Sequence, residues 1–165
     1  METLNIIYLF MISIFVIYVT SIWYKYGIQP SISDSYYRLS TKYNFLFTLF
    51  CWGFSIPAII IGVELTDNFL MFLAGAGIGF VGAAAAFKEK LTRTVHMVGA
   101  YSAVLLSQLS IAIDFKLYCF NIIFITILIV LETLAYFKNI KNKVWWEEII
   151  AFIILVLVLG IELYK

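Results

Sequence analysis

Charged residues are scarce along this chain, and several long stretches contain none. Only 13% of the 165 residues are Asp, Glu, Lys or Arg, whereas 64% are hydrophobic. A soluble domain carries about 25% charged residues. The formal net charge is +1, so the chain has no excess charge that would attract nucleic acid. The composition therefore excludes an ordinary soluble domain, and we expect no nucleic-acid partner.

Cysteine and histidine are also rare. The two cysteines, Cys51 and Cys119, both lie within apolar stretches, and their spacing matches neither a disulfide framework nor a zinc site. His96 is the single histidine, and one imidazole cannot form a His-rich metal site. We therefore expect no metal site and no cofactor, and both thiols are expected to be buried or lipid-facing.

Six apolar stretches fill almost all of the remaining sequence. A transmembrane helix needs about 20 mostly apolar residues to cross a hydrocarbon core of about 30 Å. The sequence therefore predicts an all-α fold, in which residues 1–165 form a single domain, a polytopic membrane bundle of six transmembrane helices. The predicted spans are residues 4–24, 43–63, 69–87, 95–113, 117–137 and 144–163.

The basic residues are distributed unevenly between the links that join these spans. Nine of the eleven Lys and Arg residues fall in the first, third and fifth links, and only Lys116 and Lys165 fall elsewhere. Basic residues favour the cytoplasmic side of a membrane. The sequence therefore predicts a multi-pass protein of the plasma (inner) membrane with its N- and C-termini outside.

The third span contains a G-x-G-x-x-G sequence at Gly77, Gly79 and Gly82. A dinucleotide site needs that sequence between a strand and a helix of a soluble domain, which a membrane span does not provide. Gly75, Gly79 and Ala83 instead form a face of small residues, and such faces let helices approach closely in lipid. We predict that this span is the most tightly packed helix, with the fourth span as its partner.

The fourth span carries polar residues at steps of three and four, which places them along one side of a helix. His96 begins this stripe, and Ser107, Ser110 and Asp114 form a polar track along it. Hydrogen bonds between helices explain such a stripe. A polar path through the bundle is the alternative.

Glu132 is predicted to be the acid that lies well inside a span, where acids usually face the bundle interior. The predicted topology puts Arg93, Lys138 and His96 on the same side of the membrane. An ion pair of Glu132 with Arg93 or His96 is therefore geometrically possible, and a cation, a donor or water is expected within hydrogen-bond reach of its carboxylate. Such a pair could be structural or could belong to a binding site, and the residue pattern leaves both interpretations open.

The longest link, residues 25–42, contains the most distinctive polar segment. Ser33 or Asp34 is expected to cap a short helix that begins at Ser35. The hydroxyls, Asp34 and Arg38 could bind a lipid phosphate or a small anionic ligand at the membrane surface. We predict a cluster in which this loop meets His96 and Glu132 at the cytoplasmic face. The candidate ligand-binding residues are Ser31, Ser33, Asp34, Tyr36, Tyr37, Arg38, Arg93, His96 and Glu132.

The segment Pro30-Ser31-Ile32-Ser33-Asp34, which follows the first span, resembles the P-x-I-S-D element of DRAM/Frag-type six-span membrane proteins. It is also similar to I-S-x-Y-Y loops of small polytopic membrane proteins from bacteria and phages. The resemblance covers only this short segment, and it implies a helical bundle with no settled catalytic chemistry. The glycine that follows the element in DRAM-type proteins is replaced here by Ser35 and Tyr36. That family's loop is also expected outside the cytoplasm, opposite to the charge-based orientation.

Three classes of function fit these features. The first is a non-enzymatic multi-pass membrane protein that binds a lipid headgroup, a small ligand or a partner protein at its cytoplasmic face. The second is a small oligomeric transporter or channel, although no internal repeat of the transporter kind is present. The third is a membrane-embedded hydrolase that uses Ser33, Asp34 and His96, although no G-x-S-x-G element is present. We favour the first, with the lipid bilayer, a lipid headgroup or small anionic ligand, and further copies of the chain as partners.

Overall fold

Helices account for every regular element that the structure describes. The computed structural model describes residues 2–86, 90–138 and 140–165, with side chains throughout these ranges except at 85–86 and 90–93. Apolar segments favour helices because a helix satisfies its own backbone N–H and C=O groups. The helices are α1 (Glu2–Tyr26), α2 (Ser35–Arg38), α3 (Phe45–Leu65), α4 (Leu70–Ala86), α5 (Lys90–Ile113), α6 (Tyr118–Lys138) and α7 (Lys143–Leu163).

Within the described ranges, five helices are long and apolar enough to cross a membrane, namely α1, α3, the Thr94–Ile113 part of α5, α6 and α7. The remaining apolar helix, α4, has 17 residues, which extend roughly 26 Å at about 1.5 Å per residue. That length is slightly below the hydrocarbon thickness of about 30 Å. The prediction of an apolar helical bundle is confirmed, with five helices rather than six reaching the length of a span. Phe87, the predicted end of the third span, lies outside the described residues.

α4 packs between α3 and α5, and its contact with α3 depends on glycine. A methyl group at Gly75 would lie 2.4 Å from Ile59 Cγ1, and one at Gly82 would lie 2.5 Å from Cys51 Cβ. The two helices are therefore close enough for side chains of α3 to reach the backbone of α4. Three such side chains donate hydrogen bonds to glycine carbonyls of α4: Ser55 to Gly75 (2.7 Å), Trp52 to Gly79 (3.2 Å) and Thr48 to Gly82 (3.0 Å).

The contact between α4 and α5 is a contact between two backbones. A methyl group at Gly77 would lie 2.7 Å from the carbonyl oxygen of Gly99, and one at Gly99 would lie 2.9 Å from that of Gly77. Gly75 and Gly79, predicted to face the fourth span, instead face α3, and Gly77 makes the contact with α5. Ala83 of the predicted face is half-buried. The third predicted span thus has glycine contacts on two faces, whereas the small-residue pattern predicted one.

Aromatic rings join α1, α3 and α7. Tyr18 stacks on Phe50 with ring centroids 4.4 Å apart. Phe152 meets Phe54 edge to face at 4.7 Å and lies 5.3 Å from Phe15. Aromatic pairs of this kind contribute about 0.5–1.5 kcal/mol beyond the burial of their surface. These contacts hold the first and last helices of the chain against α3.

α6 lies at the outside of the bundle. Phe124 is the one side chain of this helix that the structure describes as buried. Asn121 connects α6 to α5, because its amide donates to both the backbone oxygen and the Oε1 of Gln108 at 2.9 Å. Cys119 of α6 is exposed, whereas Cys51 of α3 is buried. Most of the apolar surface of α6 is therefore free to contact lipid.

Replacing Gly77 with alanine is expected to destabilise the bundle. The new methyl group would meet the Gly99 carbonyl oxygen, which can move only if α4 and α5 separate. Overpacking of this kind costs about 1–3 kcal/mol. Gly79→Ala is the matched control on the same helix, because its methyl group would meet only Ser55 Oγ, at 3.4 Å. Thermal unfolding in detergent measures both variants, and an equal loss of melting temperature would contradict the role of the backbone contact.

Candidate functional site

The loop between α1 and α3 begins with a turn that only glycine adopts readily. Gly27 has a φ of +73°, and its N–H donates to the Trp23 carbonyl at 2.9 Å, which ends α1. The buried side chain of Gln29 then donates to the Tyr26 carbonyl at 2.7 Å and accepts from Arg38 Nε at 3.1 Å. The Arg38 side chain is therefore held against the start of the loop while remaining exposed to the surroundings.

Serine hydroxyls order the middle of the loop. The Ser31 hydroxyl accepts from the Asp34 N–H at 3.0 Å and lies 2.9 Å from the Ser33 hydroxyl. The short helix α2 begins at Ser35, as predicted, but neither Asp34 nor Ser33 caps it with a side-chain hydrogen bond. Ser35 itself lies 2.6 Å from the Tyr18 hydroxyl, which attaches the loop to α1.

The start of α7 holds the same loop from the other side. The N–H of Trp145, one of the donors that a helix leaves unsatisfied in its first turn, donates to the Pro30 carbonyl at 3.1 Å. In return, the Ile32 N–H donates to Oε2 of Glu148, and the amide of Ser33 also faces this carboxylate. Two residues of α7 therefore bind the backbone of a loop that lies more than one hundred positions earlier in the chain.

Beneath this loop lies a cavity of about 80 Å³. Its wall comes from the loop, α3, α4, α5 and α7, and most of the lining side chains are apolar. The lining residues with polar side chains or a thiol are Ser33, Cys51, Ser107 and Glu148. Of the lining residues that the structure describes, Glu148 alone has a carboxyl group. The cavity thus combines an apolar interior with one carboxylate at the loop.

Glu132 does not belong to this cavity. Its side chain is 57% exposed, and both carboxylate oxygens accept from Lys143 Nζ, at 2.6 and 2.7 Å. The expected cationic partner is therefore present, but it is Lys143 rather than Arg93 or His96. The predicted interior position of Glu132 differs from the structure because this part of α6 faces outward. The Arg93 side chain lies outside the described residues.

His96 lies on the α4 side of the site. Its half-buried imidazole faces the backbone carbonyl of Val81, and Asp34 is close enough to act on it electrostatically. The structure therefore brings two members of the predicted cluster, Asp34 and His96, towards each other. Among the described hydrogen bonds, Ser33 is joined to Ser31 and not to His96. The serine–histidine bond that an activated nucleophile needs is thus not formed between these two residues.

The two tyrosines of the predicted site have different environments. Tyr36 is 6% exposed and packs edge to face against Phe47. Tyr37 is 75% exposed. Tyr36 therefore serves as part of the core beneath α2, and Tyr37 is the tyrosine that a ligand at the surface could contact.

The polar track of α5 divides between the two ends of the helix. Ser107 lines the cavity and donates to the Val104 carbonyl at 2.9 Å. Ser110 and Asn68 both donate to the carboxylate of Asp114 at the opposite end of the bundle. Asp114 thereby connects the link before α4 to the link after α5. These contacts give Ser110 and Asp114, the two track residues at that end of α5, a structural role.

Glu148 is the site residue that the sequence analysis did not identify. It follows Trp145 and Trp146, aromatic residues typical of anchors at the membrane surface, and the sequence pattern indicated Glu132 as the acid inside a span. One signal was available: Glu148 lies one turn beyond the anchors, inside the predicted span of residues 144–163. An acid at such a depth needs a partner, and the loop backbone supplies it.

Metal ligands do not cluster in the part of the chain that the structure describes, where no three His, Cys, Asp or Glu side chains come together. No protein-family model, no curated protein and no solved structure matches this chain. The functional interpretation therefore depends on the geometry of the loop, the cavity and Glu148.

Removing the Glu148 carboxylate is expected to loosen the loop. In Glu148→Ala the Ile32 N–H loses its acceptor, and leaving a buried donor unsatisfied costs about 1–3 kcal/mol. Hydrogen–deuterium exchange at Ile32 should therefore accelerate by roughly five- to one-hundredfold. Glu132→Ala is the control, because it removes an exposed carboxylate that does not contact the loop. Equal exchange at Ile32 in the two variants would contradict the attachment of the loop to Glu148.

Proposed function

We propose that this chain is a non-enzymatic multi-pass membrane protein that binds a small ligand in the cavity beneath the loop, with Glu148 as its polar anchor. In this proposal α4 completes a set of six spans, and both termini lie outside the plasma (inner) membrane. One observation carries the proposal: the Glu148 carboxylate accepts a hydrogen bond from the loop amide of Ile32 at the wall of an apolar cavity.

The cavity favours a ligand with a hydrogen-bond donor or a positive charge. Oε2 of Glu148 accepts from the Ile32 N–H, and the amide of Ser33 also faces this carboxyl group. Asp34 lies near enough to add to the negative potential at this carboxylate. An ammonium or hydroxyl group would donate a further hydrogen bond to this carboxyl group, while Asp34 would repel an anionic group. The anionic ligand or lipid headgroup expected near Arg38 would therefore lie outside this cavity.

The size of the cavity restricts the ligand further. Its volume of about 80 Å³ is roughly half that of a 150 Å³ protein cavity that accommodates benzene. A ligand of about three or four non-hydrogen atoms, or the end of a longer molecule, would fill it. The ligand's apolar part would contact Ala103, Val104 and Leu155, which line the cavity together with Glu148.

A small transporter or channel is the second candidate. The observation that favours it is Ser107, because this member of the polar track lines the same cavity. A continuous path would also need Ser110, which is fully buried and donates to Asp114. The contacts along α5 therefore favour a protein that binds a ligand over one that transports it.

Cys51 provides a natural reporter of ligand binding, because its buried thiol lines the cavity. In a Cys119→Ala background, n-propylamine should slow the reaction of Cys51 with methyl methanethiosulfonate, whereas propionate at the same pH should not. A four-atom ligand binds with at most about 6 kcal/mol, which is a Kd of about 40 µM at best, so millimolar amine is used to saturate the cavity. Mass spectrometry of the intact chain measures the modification.

Two variants show whether the protection depends on the proposed anchor. Glu148→Gln should abolish protection by the amine, because a side-chain amide cannot become an anion and has one acceptor fewer. Glu132→Gln should retain it, because Glu132 is paired with Lys143 on the outside of α6. Equal protection by amine and propionate, or unchanged protection in Glu148→Gln, would exclude Glu148 as the anchor.

The proposed orientation has its own test. In a variant without Cys51 and Cys119, a cysteine at position 64 should react with a membrane-impermeant maleimide added to intact cells, whereas one at position 141 should not. Glu64 and Lys141 are both exposed in the structure, so either cysteine is accessible from its own side. Labelling at position 141 from outside would reverse the orientation and place the loop where DRAM-type proteins are expected to have it.

A further inference from the structure

A second concavity, larger than the cavity at Glu148, lies on the outer surface between α1 and α3. It has a volume of about 480 Å³, within the range of about 300–1,000 Å³ that is typical of ligand sites. Along α1 its lining extends from Ile14 to Tyr26, and along α3 it extends from Leu46 to Phe50. Ile17 and Leu49 on its walls are largely exposed. In a membrane this groove faces the lipid.

The length of the groove corresponds to one leaflet of a bilayer. From Ile14 to Lys25 the helix rises roughly 16 Å, and half of a hydrocarbon core of about 30 Å is roughly 15 Å. Its upper end, at Lys25, Tyr26 and Tyr43, lies where α1 ends and the loop begins. The apolar part therefore spans the depth of an acyl chain, and the polar part lies at the depth of a headgroup.

Lys25 lines that upper end, and Lys42 directly precedes Tyr43, another lining residue. Lys25 Nζ lies 5.2 Å from the centre of the Tyr26 ring, and Lys42 Nζ lies 5.5 Å from the centre of the Tyr43 ring. Both lysines are exposed, and neither takes part in a salt bridge among the described residues. Their positive charges are therefore available to an anion at the membrane surface.

We propose that this groove binds an anionic phospholipid, with one acyl chain between α1 and α3 and the phosphate between Lys25 and Lys42. The positive charge at the mouth selects an anionic headgroup over a zwitterionic one, and the apolar wall selects a lipid over a free phosphate. The groove shares none of its lining residues with the Glu148 cavity except Phe50. The two sites can therefore be tested independently.

The proposal is tested by native mass spectrometry of the full chain in detergent, titrated with dioleoylphosphatidylglycerol or dioleoylphosphatidylcholine. The variant Lys25→Gln/Lys42→Gln should bind the phosphatidylglycerol about 30-fold more weakly, the factor expected for two surface lysines near an anionic lipid. Its affinity for the phosphatidylcholine should not change. The control Lys138→Gln/Lys141→Gln removes the same charge from exposed positions at the end of α6 and should leave both affinities unchanged.

A second pair of variants tests the place of the acyl chain. Ser21 is exposed and lines the groove, whereas Ser13 is exposed on the same helix outside it. Ser21→Trp should weaken binding of both lipids, and Ser13→Trp should weaken neither. Any one of four results would overturn the proposal. These are an equal effect of the two lysine pairs, unchanged phosphatidylglycerol binding in Lys25→Gln/Lys42→Gln, unchanged phosphatidylglycerol binding in Ser21→Trp, and displacement of the lipid by equimolar glycerol phosphate.

Discussion

The contact between Gly77 and Gly99 brings the backbones of α4 and α5 together, and the rest of the bundle is arranged around it. In lipid there is no hydrophobic drive between helices, so close packing and interhelical hydrogen bonds must hold them. α4 uses both: glycine lets it touch α5, and on its other side three polar side chains of α3 donate to its backbone. The cavity follows from this packing, because α5 presents small residues, Ala100 and Ala103, beneath the loop and leaves space there.

The loop after α1 depends on α7 as much as on its own residues. Its serines make local hydrogen bonds, but the Pro30 carbonyl and the Ile32 N–H find partners only at the start of the last helix. The exchange is reciprocal, since Trp145 would otherwise leave a donor unsatisfied in the first turn of α7. Because Glu148 belongs both to this attachment and to the cavity wall, ligand binding at the carboxylate would be coupled to the position of the loop.

Charges of opposite sign are separated at this end of the bundle. Asp34 gives the interior site at Glu148 a negative potential, whereas Lys25 lines the outer groove between α1 and α3 and Lys42 lies beside Tyr43 of the same groove. A donor or cation suits the first location and a phosphate suits the second. The lipid headgroup that the sequence suggested for Arg38 thus has a more favourable position beside the neighbouring lysines, while Arg38 is held by Gln29.

The sequence by itself determined that the chain is a bundle of apolar helices, because runs of about 20 uncharged residues can satisfy their backbone in lipid only as helices. It also indicated that α4 packs closely, because small residues at every fourth position let helix backbones approach each other in lipid. Only the tertiary structure decided which acid faces inward. Glu132 and Glu148 both lie near one end of an apolar helix, and helices that are apolar all round carry no pattern that marks the buried face. The rotation of α6 and α7 is set by contacts with other helices and with the loop, and those contacts turn Glu132 outward to Lys143 and Glu148 inward to Ile32.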